Sequence, residues 1–153
     1  MTSSAWVAVN PAAGPDGVRF IEHTADIGIE VEARSLEECF ARAAAGLFSS
    51  FAEEAAAAAG EERTITVSLS ATSLEELLVL WLEELLYRAD AEHLSFTAFR
   101  ADAVDDTSLR GQAVARVAGL QEVAEPPVKG VTRHDLWVRK EGDTWRAHVI
   151  LDV

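Results

Sequence analysis

Ile27-Gly28-Ile29-Glu30-Val31-Glu32-Ala33-Arg34-Ser35-Leu36-Glu37-Glu38 is the stretch from which the architecture is read. Its first half alternates apolar Ile27, Ile29, Val31 and Ala33 with Gly28, Glu30, Glu32 and Arg34, the period-two pattern of a strand buried on one face. At Ser35 the period changes. A serine followed three residues later by glutamate makes a capping box, in which the hydroxyl accepts from a free backbone N–H and the carboxylate reaches back to another. Leu36, Phe40, Ala44, Leu47, Phe48 and Phe51 then recur at three- and four-residue steps, so an amphipathic helix with an aromatic core stripe follows the strand.

Working outward, Val18 to His23 reads as a partner strand, with His23-Thr24-Ala25-Asp26 as the turn of a hairpin whose outer face is acidic. Ala55 to Ala59 and Gly60 fit either a continuation of the first helix or a loop. Thr64 to Ser70 alternates as a strand, and Ser73 with Glu76 repeats the capping signal. The second helix carries Leu74, Leu77, Leu78, Trp81, Leu82, Leu85, Leu86 and Ala89, a broader apolar face that predicts the deeper burial of the two. Both helices begin Ser-Leu-Glu-Glu, which a strand–helix duplication or shared capping chemistry would equally produce.

From Leu94 the pattern is strands only: Leu94 to Val104, Leu109 to Val117, Val131 with Thr132, Leu136 to Lys140 and Trp145 to Leu151. Asp105-Asp106-Thr107 and Glu141-Gly142-Asp143 mark hairpin turns, and Glu125-Pro126-Pro127 a longer loop. The expected fold is α+β, two helices packed on mostly antiparallel β-sheets as an α/β sandwich. Residues 18–153 form the single domain, and residues 1–17, rich in Ala, Gly, Pro and Ser, read as a flexible leader.

Composition narrows the function. A hydrophobic fraction of 49% in 153 residues suffices for one core. The net charge of −13 repels phosphate backbones, so no direct nucleic-acid binding is expected; such a surface suits a divalent cation, a basic protein partner or plain solvation. Cys39, the single cysteine, has no disulfide partner. No apolar run is long enough for a membrane span, and no secretory signal opens the sequence, so the expected location is cytoplasmic, with no membrane partner.

The last residues, Val149-Ile150-Leu151-Asp152-Val153, form an apolar β-type run in which Asp152 shares a face with Arg146, His148 and Ile150. A strand here would hold Asp152 and the carboxylate of Val153 in place rather than let them fray. Asp26 would add a third carboxylate, and oxygen donors of this kind suit calcium or magnesium. Each residue also has a plainer reading. Asp26 serves as a turn residue bonding nearby N–H groups, His23 as a packed or solvated side chain, Gly28 as a relaxed turn position, and Asp152 as the end of a sheet strand. Lys129-Gly130-Val131-Thr132-Arg133-His134 either faces an anionic ligand or supplies surface counter-charges. No phosphate-binding glycine motif and no Ser, His and Asp set is present, so nothing independently indicates catalysis.

Taken together, His23-Thr24-Ala25-Asp26-Ile27-Gly28, the Ser35-Leu36-Glu37-Glu38 helix start, Trp81-Leu82-Glu83-Glu84-Leu85-Leu86-Tyr87, the segment from Lys129 to His134, and the Leu151-Asp152-Val153 ending resemble the archease family, in its order and spacing, from about Phe20 to Val153. The resemblance implies a non-catalytic protein that promotes guanylylation and multiple turnover of an RtcB-type RNA ligase in tRNA splicing or RNA repair. It implies Asp26, Asp152 and the terminal carboxylate of Val153 as divalent-metal ligands, with calcium the expected ion and magnesium or manganese the alternatives. His23 and Lys129 carry over as contacts to the partner or its nucleotide. A chaperone-like acidic binding module for an RNA-modifying enzyme, such as a tRNA methyltransferase, is the alternative role. Three carboxylates leave a calcium shell of six to eight oxygens incomplete, so the implied site is open.

Overall fold

The computed structural model describes residues 5–9, 16–22, 26–49, 60–117 and 128–153. His23, Phe51, the alanine run 55–59 and the Glu125-Pro126-Pro127 loop lie outside them. In chain order the elements are β1 (Val7–Ala8), β2 (Val18–Glu22), β3 (Asp26–Ala33), α1 (Leu36–Phe48), β4 (Glu62–Ser70), α2 (Leu74–Ala91), β5 (Leu94–Val104), β6 (Ser108–Val117), β7 (Gly130–Glu141) and β8 (Thr144–Asp152). The strands form two antiparallel four-stranded sheets, ordered β1-β5-β6-β4 and β2-β3-β8-β7. The α+β sandwich is as expected, with the helices between the sheets: α1 contacts β3 and β8 on one side and β5 on the other, and α2 contacts β7 on one side and β4, β5 and β6 on the other.

The expected order of burial is reversed. Every residue of α1 except Glu37, Glu38 and Arg42 is buried, whereas in α2 burial is confined to Leu77, Leu78, Val79, Trp81, Leu82 and Leu85. The cause is side-chain size. Ala41, Ala43, Ala44, Ala45 and Gly46 give α1 a thin wall all round, so it can be enclosed by both sheets, and a Cβ on Gly46 would stand 2.9 Å from Val18 Cγ1. The leucines of α2 serve one broad face and leave Tyr87 exposed. Cys39 is sealed in α1, where burial pushes its thiol up to about 12, so it is core and not a nucleophile.

Both serine caps form: Ser35 Oγ accepts from Glu38 N at 3.1 Å, and Ser73 Oγ from Glu76 N at 3.2 Å. The return half of the box does not, because Glu38 pairs with Arg42 and Glu76 with Arg133. Shifts of register in β5 at Phe96/Ala98 and Ala101/Ala103 break strict alternation, and Phe96 and Phe99 both enter the core against Phe48, with centroids 5.0 and 5.4 Å from its ring. Part of the expected leader is docked: Val7 and Ala8 pair with Phe99 and Ala98, and the Arg100 guanidinium lies 4.6 Å from the Trp6 ring. β7 is one strand where two pieces were expected, with its register shifted between Thr132 and Trp137.

Trp81 ties these layers together. It is fully buried, its Nε1 donates to Phe40 O of α1 at 3.0 Å, and a Cβ on Gly111 of β6 would lie 2.9 Å from its ring. Trp81→Ala therefore opens a cavity at the junction of both helices with a sheet and should cost about 3–5 kcal/mol in denaturant unfolding.

Candidate metal centre

The pairing of β3 with β8 runs to the ends of both strands, so Ile27 faces Leu151 and Asp26 faces Asp152 directly. Asp26 is thus the first residue of a strand and not part of a turn. Directly opposed residues share a sheet face with Cβ atoms about 4.5–5.5 Å apart, so the two carboxylates stand side by side. Their face is the outer one, because Ile27, Ile29 and Val31 alternate with them toward the helices and Ile29, Val31, Val149 and Leu151 are core. On the other flank of Asp152 is Gly130 of β7, and Lys129 N donates to Asp152 O at 2.7 Å. A Cβ on Gly130 would meet nothing within 4 Å, so this flank is open. Val153 follows at the same corner and is exposed.

The charges at this corner are unmatched. Elsewhere on the outer face Arg19 faces Glu30 and is paired with it, and Glu32 faces Arg146. One other like-charged pair, Arg139 facing Arg146, is bridged by Glu141, whose carboxylate lies 2.9 Å from Arg139 Nε and 3.3 Å from Arg146 Nη1. Asp26 and Asp152 have no such bridge among the described residues. Moreover, Asp26 Oδ1 is buried without a hydrogen-bond partner. Like charges directly opposed are destabilising, and a buried carboxylate oxygen without a partner adds to that cost. An all-oxygen donor set of this kind fits a hard divalent cation. Among the described residues no group of three or more His, Cys, Asp or Glu side chains gathers to hold a metal, so further ligands would come from the Val153 carboxylate, water or a partner.

Residues 19–153 match the family model described as the Archease protein family (MTH1598/TM1083). The chain belongs to the archease family. It is 33% identical over 140 residues to the archease of Methanothermobacter thermautotrophicus, covering 90% of this chain and 99% of the relative. It is 32% identical over 139 residues to that of Methanosarcina barkeri, covering 88% and 94%. The solution structure of Methanobacterium thermoautotrophicum protein 1598 superposes with a TM-score of 0.61 at 29% identity, over 90% of this chain and 99% of that one. A Thermotoga maritima crystal structure described as an archease, possible chaperone, shares the fold, with a TM-score of 0.57 at 24% identity over 87% and 94%.

Within this archease fold the segment from Lys129 to His134 divides its basic groups. Arg133 is a counter-charge: it donates to both oxygens of Glu76 in the first turn of α2, at 2.6 and 3.1 Å, and approaches Glu83 at 3.9 Å. His134 lies 3.4 Å from Asp135 on the surface. Lys129 is exposed and makes no ion pair among the described residues. Between Thr132 and Trp137 the strand bulges, with Asp135 at φ +51°. The Asp135 carbonyl accepts from His148 Nδ1 at 2.7 Å, and His148 stacks on Trp137. Sequence reading does not reach this arrangement, because the bulge decides which side chains meet.

Hydrogen bonds from Arg133 hold the Glu76 carboxyl below its usual value of 4.5. A depressed carboxylate pKa adds stability above the unfolded value that is lost as pH falls through the folded one. Arg133→Ala should return the Glu76 titration, followed by NMR, to the ordinary range and remove that acid-side loss.

Proposed function

We propose that this chain is a non-catalytic cofactor protein that promotes guanylylation and multiple turnover of an RtcB-type RNA ligase in tRNA splicing or RNA repair, through a divalent-metal site at the β3–β8 corner. Membership of the archease family supports the reading, and one observation carries it: Asp26 and Asp152 are directly opposed, with no described counter-charge and a buried, unpartnered Asp26 oxygen. Asp26, Asp152 and the Val153 carboxylate would hold the ion, calcium first by the oxygen character of the set and magnesium or manganese as alternatives. A bound divalent cation would supply positive charge toward phosphate oxygens. The protein's own part is to present it: the strand ends fix the two aspartates, Gly130 leaves the flank open, and exposed Lys129 offers an ammonium to an anionic group of the partner. His23 is a further candidate contact and lies outside the described residues. This role calls for no membrane partner, and among the described residues no helix is long and apolar enough to cross a membrane. Its location in this reading is cytoplasmic.

The test is a guanylylation assay of the cognate ligase with GTP and divalent ions, with and without this protein. Asp26→Ala and Asp152→Ala should each lower stimulation at least about tenfold, the scale of losing a metal contact, with circular dichroism unchanged. Stimulation at the wild-type level by both variants refutes the metal-centred reading. The alternative, a chaperone-like acidic module for an RNA-modifying enzyme such as a tRNA methyltransferase, draws on the net charge of −13 and on the description of the Thermotoga relative. It requires that stimulation survive both substitutions and fall steeply with salt.

A further inference from the structure

The first strand lies outside the residues that match the family, which begin at residue 19, yet it is docked on the fold. Val7 and Ala8 pair with Phe99 and Ala98, and Val9 N donates to Thr97 O at 3.0 Å. Val7 and Val9 pack against the core, and Trp6 lies outside on the Arg100 guanidinium. Beneath this arm is β5, which the sheet order would otherwise leave as the outermost strand. From Leu94 to Phe99 it reads Leu-Ser-Phe-Thr-Ala-Phe, six residues with no charge, no proline and no glycine. A bare edge of that composition is a template for pairing with a copy of itself. The other edge strands carry their own deterrents. β2 is five residues long and holds Arg19 and Glu22. β7 is bulged, carries Arg133, His134 and Asp135, and donates its Val138 N–H to Glu75 at 3.2 Å. β4 begins with Glu62 and Arg63 and turns Thr64, Thr66, Ser68 and Ser70 to water.

We propose that residues 5–9 are a detachable guard over a strand-pairing surface, and that the partner this surface fits is the β5 of a second copy of the chain. Antiparallel pairing of β5 with its own copy is a two-fold contact in which one patch serves both molecules, and it would run the strands as one continuous sheet, β4-β6-β5-β5-β6-β4. The charged side chains of β5, Arg100 and Asp102, are of opposite sign and already paired at 2.8 Å, so they set no like-charge barrier against it. At the end of β5 the Val104 N–H donates to Glu37 Oε1 at 3.4 Å, which leaves the middle of the strand to the arm. Residues 1–9 carry no charged side chain, so the acidic body, at a net charge of −13, does not repel them. A two-residue strand holds the arm, so it can open without unfolding the rest. It lies on the sheet that does not contain Asp26 and Asp152, and its role is independent of the metal reading.

Light scattering of the full chain at about 0.15 M salt, where repulsion between acidic copies is screened, tests this. Val9→Pro removes the N–H that Thr97 O accepts, and Val7→Asp sets a carboxylate against the core. Each should release the arm, read as a shift of the Trp6 indole N–H by NMR, and turn a monomeric wild type into a dimer of twice the mass. Ala98→Lys places a charge beside the β5 edge, and added to either variant it should restore the monomer while the arm stays released. A released arm with monomer mass in the two variants overturns the proposal. So does a dimer that Ala98→Lys leaves intact, because its interface is then not β5, and so does a wild type that is dimeric with Trp6 still docked.

Discussion

The antiparallel pairing of β3 with β8 is the constraint on which the molecule depends. It joins the first long strand to the last at the centre of one sheet, in a register that runs unbroken from Ala33 opposite Trp145 to Asp26 opposite Asp152. One face of the pair supplies Ile29, Val31, Ala147, Val149 and Leu151 to the core. Because side chains alternate, the register that buries these residues also sets the two aspartates together on the other face. A slip of one residue would turn the apolar set toward solvent. The core therefore enforces the proximity of two like charges, and the energy for holding them there comes from apolar burial.

That arrangement gains its meaning from the rest of the outer face. Where Arg139 and Arg146 are opposed, Glu141 lies between them and neutralises the repulsion. At the other end of the same sheet the described residues provide no cation for Asp26 and Asp152. Gly130 and exposed Lys129 border the pair on the β7 side, so the corner is accessible to a ligand and to a partner's surface. Arg133, in the same segment, is turned away into a tether with α2. The same short stretch thus does two jobs, bracing the sheet against a helix and leaving one end free.

The helices make this corner rigid from behind. An alanine-walled α1 lies enclosed between the sheets, and Trp81 of α2 reaches across to the Phe40 carbonyl, so both sheets are fixed to one internal frame. The strand ends that present Asp26 and Asp152 are tied to that frame through the core residues beside them, and to one another and β7 by the strand pairing and the bond from Lys129 N to Asp152 O.

The sequence by itself determined the periodicities: the alternation in Ile27 to Ala33 and Trp145 to Leu151, the serine caps at Ser35 and Ser73, and the hairpin turns are local, since each depends on neighbours a few residues away. It also carried the family resemblance and the candidate carboxylates. Tertiary structure alone decided which helix is enclosed, because apolar count favours α2 while available space favours the smaller side chains of α1. It decided that Glu76 serves Arg133 instead of its own helix terminus, since the bulge in β7 brings a stronger partner within reach. It likewise decided that Asp26 belongs to a strand, that part of the leader pairs with β5, and that Gly130 of β7 flanks Asp152. These are matters of register between strands remote in the chain, and register is set by the whole buried face at once, which no single segment encodes.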